Sequence, residues 1–221
     1  MVKKHKNKNF AILGLGRFGM SIIETLSQYD VNILACDHDE AKVSLATEYA
    51  THVIQGDLSD EKTLIKIGLN DFDVVVLAMG ESFETSLIAT MIAKEQGARH
   101  IIVKARNQRQ EKILKNNGAD KVVLPEYEMG YKIAKSIVEP NILEILNDMK
   151  DYSIIEMKPL DEWIGKTLKG TNIRHNHGIT ILAIIKQGNK IIIPVSPDTS
   201  IDKDDVLLVF DEKNQYIDNK Q

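Results

Sequence analysis

"NFAILGLGRFGMSIIETLSQYDVNILACD", Asn9 to Asp37, runs from an apolar segment through a glycine-studded turn and an amphipathic segment to a second apolar segment ending in an acid. The pattern predicts strand, turn, helix and strand, the opening step of a Rossmann-type sheet. Gly14, Gly16 and Gly19 carry the Gly-x-Gly-x-x-Gly spacing. The first glycine permits the tight turn, the second lets backbone approach a phosphate, and the third lets helix and strand pack closely. Arg17 and Phe18 open the helix. A cation there opposes the helix dipole unless a phosphate lies close, so Arg17 reads either as a phosphate clamp or as a solvated surface arginine. Asp37 would accept hydrogen bonds from ribose hydroxyls and repel a ribose phosphate, with His38 bordering the adenosine.

The same alternation continues to Pro125. "THVIQGD", "DVVVLAMG", "HIIVKA" and "DKVVLP" read as further strands, separated by helices such as "KTLIKIG", "SLIATMIAKEQG" and "QEKILKNNG". Several helices close on glycine, which takes the left-handed cap most easily. Strands rich in Val, Ile and Leu with little alternation are buried on both faces, as in a parallel sheet. The fold class is therefore α/β, a doubly wound parallel sheet. Ligands of such sheets bind at the carboxyl ends of the strands, which adds Gly56, Asp57 and Gly80 to the candidate site. Lys104 and Arg106 end the fifth strand, either as phosphate contacts or as solvated cations.

Residues 1–125 thus form a Rossmann-like nucleotide-binding domain, 126–150 a helical connector and 151–221 a small α+β lobe. In the connector Met129, Ile133, Ala134, Ile137 and Val138 fall on one helical face. That face suits either a dimer contact or packing against the chain's own sheet. Pro140 stops this helix and "NILEILNDM" predicts a second. In the lobe "YSIIEMKP", "ITILAIIKQG", "NKIIIPV" and "DDVLLVF" read as short strands, Gly188-Asn189 as a hairpin turn and "LDEWIGKTLKG" as a short helix.

Composition narrows the function classes. A formal charge of −4 and a pI near 5.9 argue against a protein that coats nucleic acid. The basic start "MVKKHKNKN" precedes an apolar run broken by Gly14, Gly16 and Arg17, too short for a secretory signal or a membrane span. Cys36 is the single cysteine, which excludes an intrachain disulfide and a cysteine-rich zinc site. The expectation is a cytoplasmic protein that acts at a membrane only through a partner.

Catalysis finds little support. Tyr131 and Lys135 have the Tyr-x-x-x-Lys spacing of short-chain dehydrogenases, but the glycine pattern differs and Gly118 stands where that family's serine would be expected. No nucleophile elbow, HExxH pair or Walker loop is present. "HNH", His175 to His177, reads as a polar loop without a metal-completing acid. The alternative is an NAD-dependent oxidoreductase holding NAD(H), with Glu81 or Glu84 on the nicotinamide side.

Taken together, "GLGRFG", Asp37, "VKARN", "GADKVVLPEYEMG" and "TLKGTNIRHNHGITILAI" resemble the regulator-of-potassium-conductance family, specifically the gating subunits of Ktr-type potassium uptake systems. The resemblance covers nearly the whole chain. It implies dimers assembled into an octameric ring that binds ATP or ADP and gates a separate membrane pore subunit. It assigns Arg17 to the γ-phosphate across the dimer and Glu126 to a divalent cation near the phosphates. It further implies cyclic di-AMP in the C-terminal lobe, through Ile164, Leu168, Ile173, Arg174, Asn176, Ile179 and Pro194. The apolar residues would sandwich adenines and Arg174 would pair with phosphates, or the same residues simply form the lobe's core and dimer seam. His175, Asn176 and His177 stand where an aromatic precedes the glycine in that family.

Overall fold

The computed structural model describes residues 8–80, 82–138, 142–148 and 152–212. The chain divides after Glu128 into two compact units.

The first unit carries six parallel strands: β1 Asn9–Leu13, β2 Asn32–Asp37, β3 His52–Gln55, β4 Val74–Leu77, β5 Ile101–Lys104 and β6 Lys121–Val123. Their order is β3-β2-β1-β4-β5-β6, so the chain starts at the centre, winds outward and returns to wind the other way. The connecting helices are α1 Arg17–Leu26, α2 Glu40–Ala46, α3 Glu61–Ile67, α4 Phe83–Glu95 and α5 Gln108–Asn116. Alternate residues of one strand enter opposite cores. Ala11 and Leu13 join Val75, Leu77, Leu64, Ala89 and Leu114 on one face, while Ile12 joins Ile33, Ala35, Val76 and Ile23 on the other. The apolar strands lack alternation because both faces are covered. Asp39, Asp60, Ser82 and Asn107 cap the four helices α2 to α5, each side chain accepting an amide hydrogen bond from the first turn.

A further helix, α6 Pro125–Val138, follows β6 and runs past the boundary between the units. On its apolar face Met129, Ile133, Ile137 and Val138 are exposed among the described residues.

The second unit is an antiparallel sheet built from β7 Ile142–Asp148, β8 Tyr152–Met157, β9 Ile179–Lys186, β10 Lys190–Ile192 and β11 Val206–Glu212, in the order β10-β9-β11-β8-β7. Two short helices, α7 Leu168–Thr171 and α8 Ile173–His177, precede β9. Trp163, Ile155, Met157, Ile173, Ile179, Ile184 and Leu207 make its core. The hairpin at Gly188-Asn189 is present, both residues having positive φ. Lys186 is held by Asp202 at 2.8 Å and by Asp205 at 2.7 Å, and Asp205 is buried.

Two expectations are corrected. "NILEILNDM" is not a second connector helix, because Ile142–Asp148 pairs with β8 as a strand. Two register shifts, between Ile142 and Glu144 and between Ile145 and Asn147, explain the misleading pattern. Each bulge inserts one residue, so a bulged strand acquires the uneven apolar spacing of a helix. "HNH" is not a loop either but lies in α8, where His177 Nε2 meets Glu162 at 3.1 Å and its ring stands edge-on to Trp163.

Candidate functional site

The glycine loop joins β1 to α1 as its spacing requires. Gly14 has φ +96°, and a Cβ there would lie 2.9 Å from the Met79 amide nitrogen. A Cβ on Gly19 would collide with the Gly14 carbonyl oxygen, so helix and loop touch because both are glycine. Gly16 by contrast faces open space and caps α1, with no side chain bonded to the first turn. The first-turn amides of a helix have no intrahelical acceptors, so this end presents donors to an anion.

Opposite the loop lies Asp37, at the end of β2 and only 4% exposed. Its Oδ2 accepts the Leu15 amide at 2.6 Å and its Oδ1 accepts the Asp39 amide at 3.0 Å. His38 Nδ1 stands 3.1 Å and Lys42 Nζ 3.8 Å from Oδ1. The carboxylate therefore fixes the glycine loop and still borders the cavity. Cys36, one residue earlier, is fully buried, and burial, reinforced by the Asp37 charge, pushes its thiol up to about 11.

The cavity itself holds about 340 Å³. It brings together Gly14, Gly16, Asp37, His38, Asp57 and Gly80 of the expected residues. Gly56 instead packs against Thr63 and Cys36. Arg17 is exposed beside the cavity, and Phe18 and Gly19 face the protein. Lys104 and Arg106 line a smaller adjoining cavity of about 110 Å³ that shares Gly80 and Ser82 with the first. Lys42, Ser59 and Thr85 also line the larger cavity and were not read from the sequence. The acid-ended strand had a motif to announce it, whereas a lysine one turn into the next helix had none. Asp57 accepts from the Ser59 amide at 2.8 Å and hydroxyl at 2.7 Å. Those bonds, with His38 nearby, hold its carboxyl below the usual range.

Glu126 is the expected cation ligand. Its Oε1 lies 2.6 Å from Lys104 Nζ, and this bond holds its carboxyl below the usual range, with a smaller contribution from Arg17. Among the described residues no cluster of three or more His, Cys, Asp or Glu could hold a metal ion.

The second unit has its own cavity of about 460 Å³. Leu168, Ile173, Arg174 and Ile179 line it, joined by Lys169, Asn172, Val195 and Pro197, which the sequence reading did not single out. Ile164, Asn176 and Pro194 are not among its lining residues; Asn176 donates instead to the Thr171 carbonyl at 3.3 Å.

This geometry agrees with what the chain is similar to. Residues 10–125 match the TrkA-N domain and residues 153–217 the TrkA-C domain. Ktr system potassium uptake protein C of Bacillus subtilis is 41% identical over 92% of this chain and 91% of its own. The chain belongs to the Ktr branch of the regulator-of-potassium-conductance family. Ktr system potassium uptake protein A of the same organism is 36% identical over 94% of this chain and 93% of its own. A solved structure of the GsuK channel bound to NAD superposes with a TM-score of 0.64 at 16% identity... its match covers 97% of this chain but 39% of the channel chain, and it shows the shared fold. No helix among the described residues of this Ktr-family chain is long and apolar enough to cross a membrane.

Proposed function

We propose that this chain is the cytosolic regulatory subunit of a Ktr-type potassium uptake system, a nucleotide sensor without catalysis that gates a separate membrane pore subunit. The observation that carries this reading is the cavity in which the uncapped start of α1 and the backbone of Gly14 and Gly16 lie across from the buried Asp37. ATP or ADP would lay its phosphates on the helix start and its ribose against Asp37, leaving Asp57 and Ser59 toward the adenine. Arg17 makes no ion pair among the described residues, and would reach the γ-phosphate of a neighbouring copy's nucleotide. The exposed apolar face of α6 supports pairing with a second copy. Paired copies assembled into an octameric ring would then gate the pore. A ligand shifts such a ring only by binding its two shapes unequally, and a γ-phosphate contact across copies supplies that inequality. Glu126 would join a divalent cation only with ligands from the nucleotide and the second copy. In the second unit Arg174 and Lys169, above an apolar floor of Leu168, Ile173 and Ile179, fit a cyclic dinucleotide such as cyclic di-AMP.

A second reading, NAD(H) in the first cavity, has one observation in its favour: Asp37 suits the adenosine ribose of either ligand. For the oxidoreductase form of that reading, no nicotinamide-side acid lines the cavity among the described residues. Glu84 is exposed on α4 and does not line the cavity, and Glu81 lies outside the described residues. Calorimetric titration of the full chain with ATP, ADP, NADH and cyclic di-AMP tests all of this. Micromolar binding of ATP and ADP with none of NADH supports the sensor; NADH binding alone overturns it.

A further inference from the structure

The smaller of the two adjoining cavities differs from its neighbour in the chemistry of its walls. Its polar side chains are Ser82, Ser86, Lys104, Arg106 and Gln110. No acid lines it among the described residues, whereas Asp37 and Asp57 line the larger cavity. The donors are held in place. Lys104 ends β5 with its side chain 14% exposed and its ammonium 5.8 Å from the centre of the Phe18 ring. The same nitrogen lies 3.5 Å from where a Cβ on Gly80 would stand. Gln110 Oε1 accepts the Arg106 amide at 2.9 Å, which leaves the Nε2 group as the donor of that side chain. Ser82 caps α4 by accepting the Thr85 amide at 3.2 Å, which leaves its hydroxyl proton to donate elsewhere. Ser86 is already engaged, donating to the carbonyls of Met79 and Ser82. Lys104 also holds Glu126 at 2.6 Å, but one ammonium can hold two anions at once, as Lys186 does with Asp202 and Asp205. Arg106 makes no ion pair among the described residues. The walls therefore keep a positive charge without a carboxylate to balance it, beside the amide-rich start of α4.

We propose that this cavity is a subsite for one free tetrahedral oxyanion of phosphate size, taken up beside the nucleotide and held by Lys104, Arg106, Gln110 and Ser82. Its volume of about 110 Å³ is that of roughly four waters at about 30 Å³ each, room for such an ion and too little for a nucleoside. Four donating side chains match an ion with four oxygens better than a carboxylate with two. Two of the four are cations, so the bonds are charge-assisted. The proposal goes beyond the nucleotide reading and does not need it, since a free oxyanion brings no nucleoside. Glu126 keeps its place throughout.

Equilibrium dialysis of the purified full chain against radiolabelled inorganic phosphate at about 0.15 M salt tests the subsite, with circular dichroism confirming the fold of each variant. Wild type should bind phosphate saturably, and Lys104→Gln and Arg106→Gln should each weaken it about tenfold or more. Gln110→Glu keeps the acceptor for the Arg106 amide but sets a carboxylate among the donors, so it should weaken phosphate at least about tenfold. Gln108→Glu makes the same charge change on an exposed residue outside this cavity and should alter affinity by less than about twofold. Equal effects of the two glutamates would mean a general positive field and overturn the proposal. So would loss of phosphate in Arg17→Gln with retention in Lys104→Gln, which would put the ion at the start of α1. Absence of saturable binding overturns it outright. Saturating ADP should leave phosphate bound, and displacement by ADP overturns the proposal. Displacement by ATP alone supports it, with the terminal phosphate of ATP as a second source of the same oxyanion. If phosphate behaves as expected and neither ATP nor ADP binds, the nucleotide reading fails and the subsite stands.

Discussion

In the first unit the cavity is lined by backbone at the carboxyl ends of β1 and β4 and by a carboxylate at the end of β2 that the Leu15 amide fixes in place. In the second unit the cavity is lined by side chains, and two of them, Ile173 and Ile179, belong to the core of that unit. The first site is thus separable from the packing that supports it, because its donors are main-chain groups already committed to the fold. The second is not: what would bind a ligand there also holds the lobe together. A mutation of an exposed residue at the first cavity should therefore change affinity with little loss of stability, whereas an apolar mutation in the second should change both. Arg174, exposed and outside the core, is the residue that can probe the second site cleanly.

The sharpest test of that separation concerns Lys186, which is remote from the first cavity's residues in sequence and belongs to the second unit. Replacing it with Met leaves the buried Asp205 carboxylate without its cation, which should cost about 3 kcal/mol of stability in the second unit. Urea denaturation followed by Trp163 fluorescence checks the loss, while calorimetry should show unchanged ATP affinity. A matching loss of ATP affinity would break the comparison. Burial alone would lower the Lys186 pKa, but its bonds to Asp202 and Asp205 win and hold it above the ordinary 10.5. A raised folded pKa means the stabilisation is complete below pH 10.5 and fades as pH rises through the folded value. The difference between wild type and Lys186→Met should shrink in that alkaline window and stay constant around neutrality.

Next in size is Asp37→Ala. On the proposed reading it would remove the ribose acceptors for both ATP and ADP, so both affinities should fall about ten- to hundredfold by calorimetry. The same change frees the Leu15 amide, and hydrogen exchange at Leu15 should quicken even without ligand. Arg174→Ala should then weaken cyclic di-AMP at least about tenfold while ATP binding and the unfolding midpoint stay put. A shifted midpoint would assign Arg174 to the lobe's own structure. The titration needs the full chain, because a fragment starting at Asp151 omits β7, which pairs with β8. Smallest, and most specific, is Arg17→Ala: about a tenfold loss for ATP and little for ADP. Equal losses would make Arg17 a general phosphate contact.

These tests also mark where sequence stopped being informative. The six parallel strands were legible because burial on both faces leaves apolar runs that need no register to interpret. The glycine loop was legible because each glycine answers a distinct steric demand, which the structure shows at Gly14 and Gly19. β7 was illegible because its two bulges gave a strand the spacing of a helix. Lys42 and Lys169 escaped because long flexible cations obey no spacing rule, and the backbone geometry decides which of them reach a cavity. The Lys104–Glu126 pair joins residues from β5 and α6, and no local pattern could have coupled them.

The burial of Cys36 has a practical consequence in thiol chemistry. The chain has one sulfhydryl, it lies one residue from Asp37 inside the parallel sheet of the first unit, and its pKa of about 11 leaves it almost wholly protonated near neutrality. An alkylating reagent can reach it only when that sheet opens, so the modification rate is a clock for opening, free of background from any other cysteine. A ligand that binds only the closed sheet must slow this clock by a factor of one plus its concentration over its Kd. Following alkylation by mass spectrometry against a nucleotide titration would then read affinity for this one unit, in the intact chain and without a label.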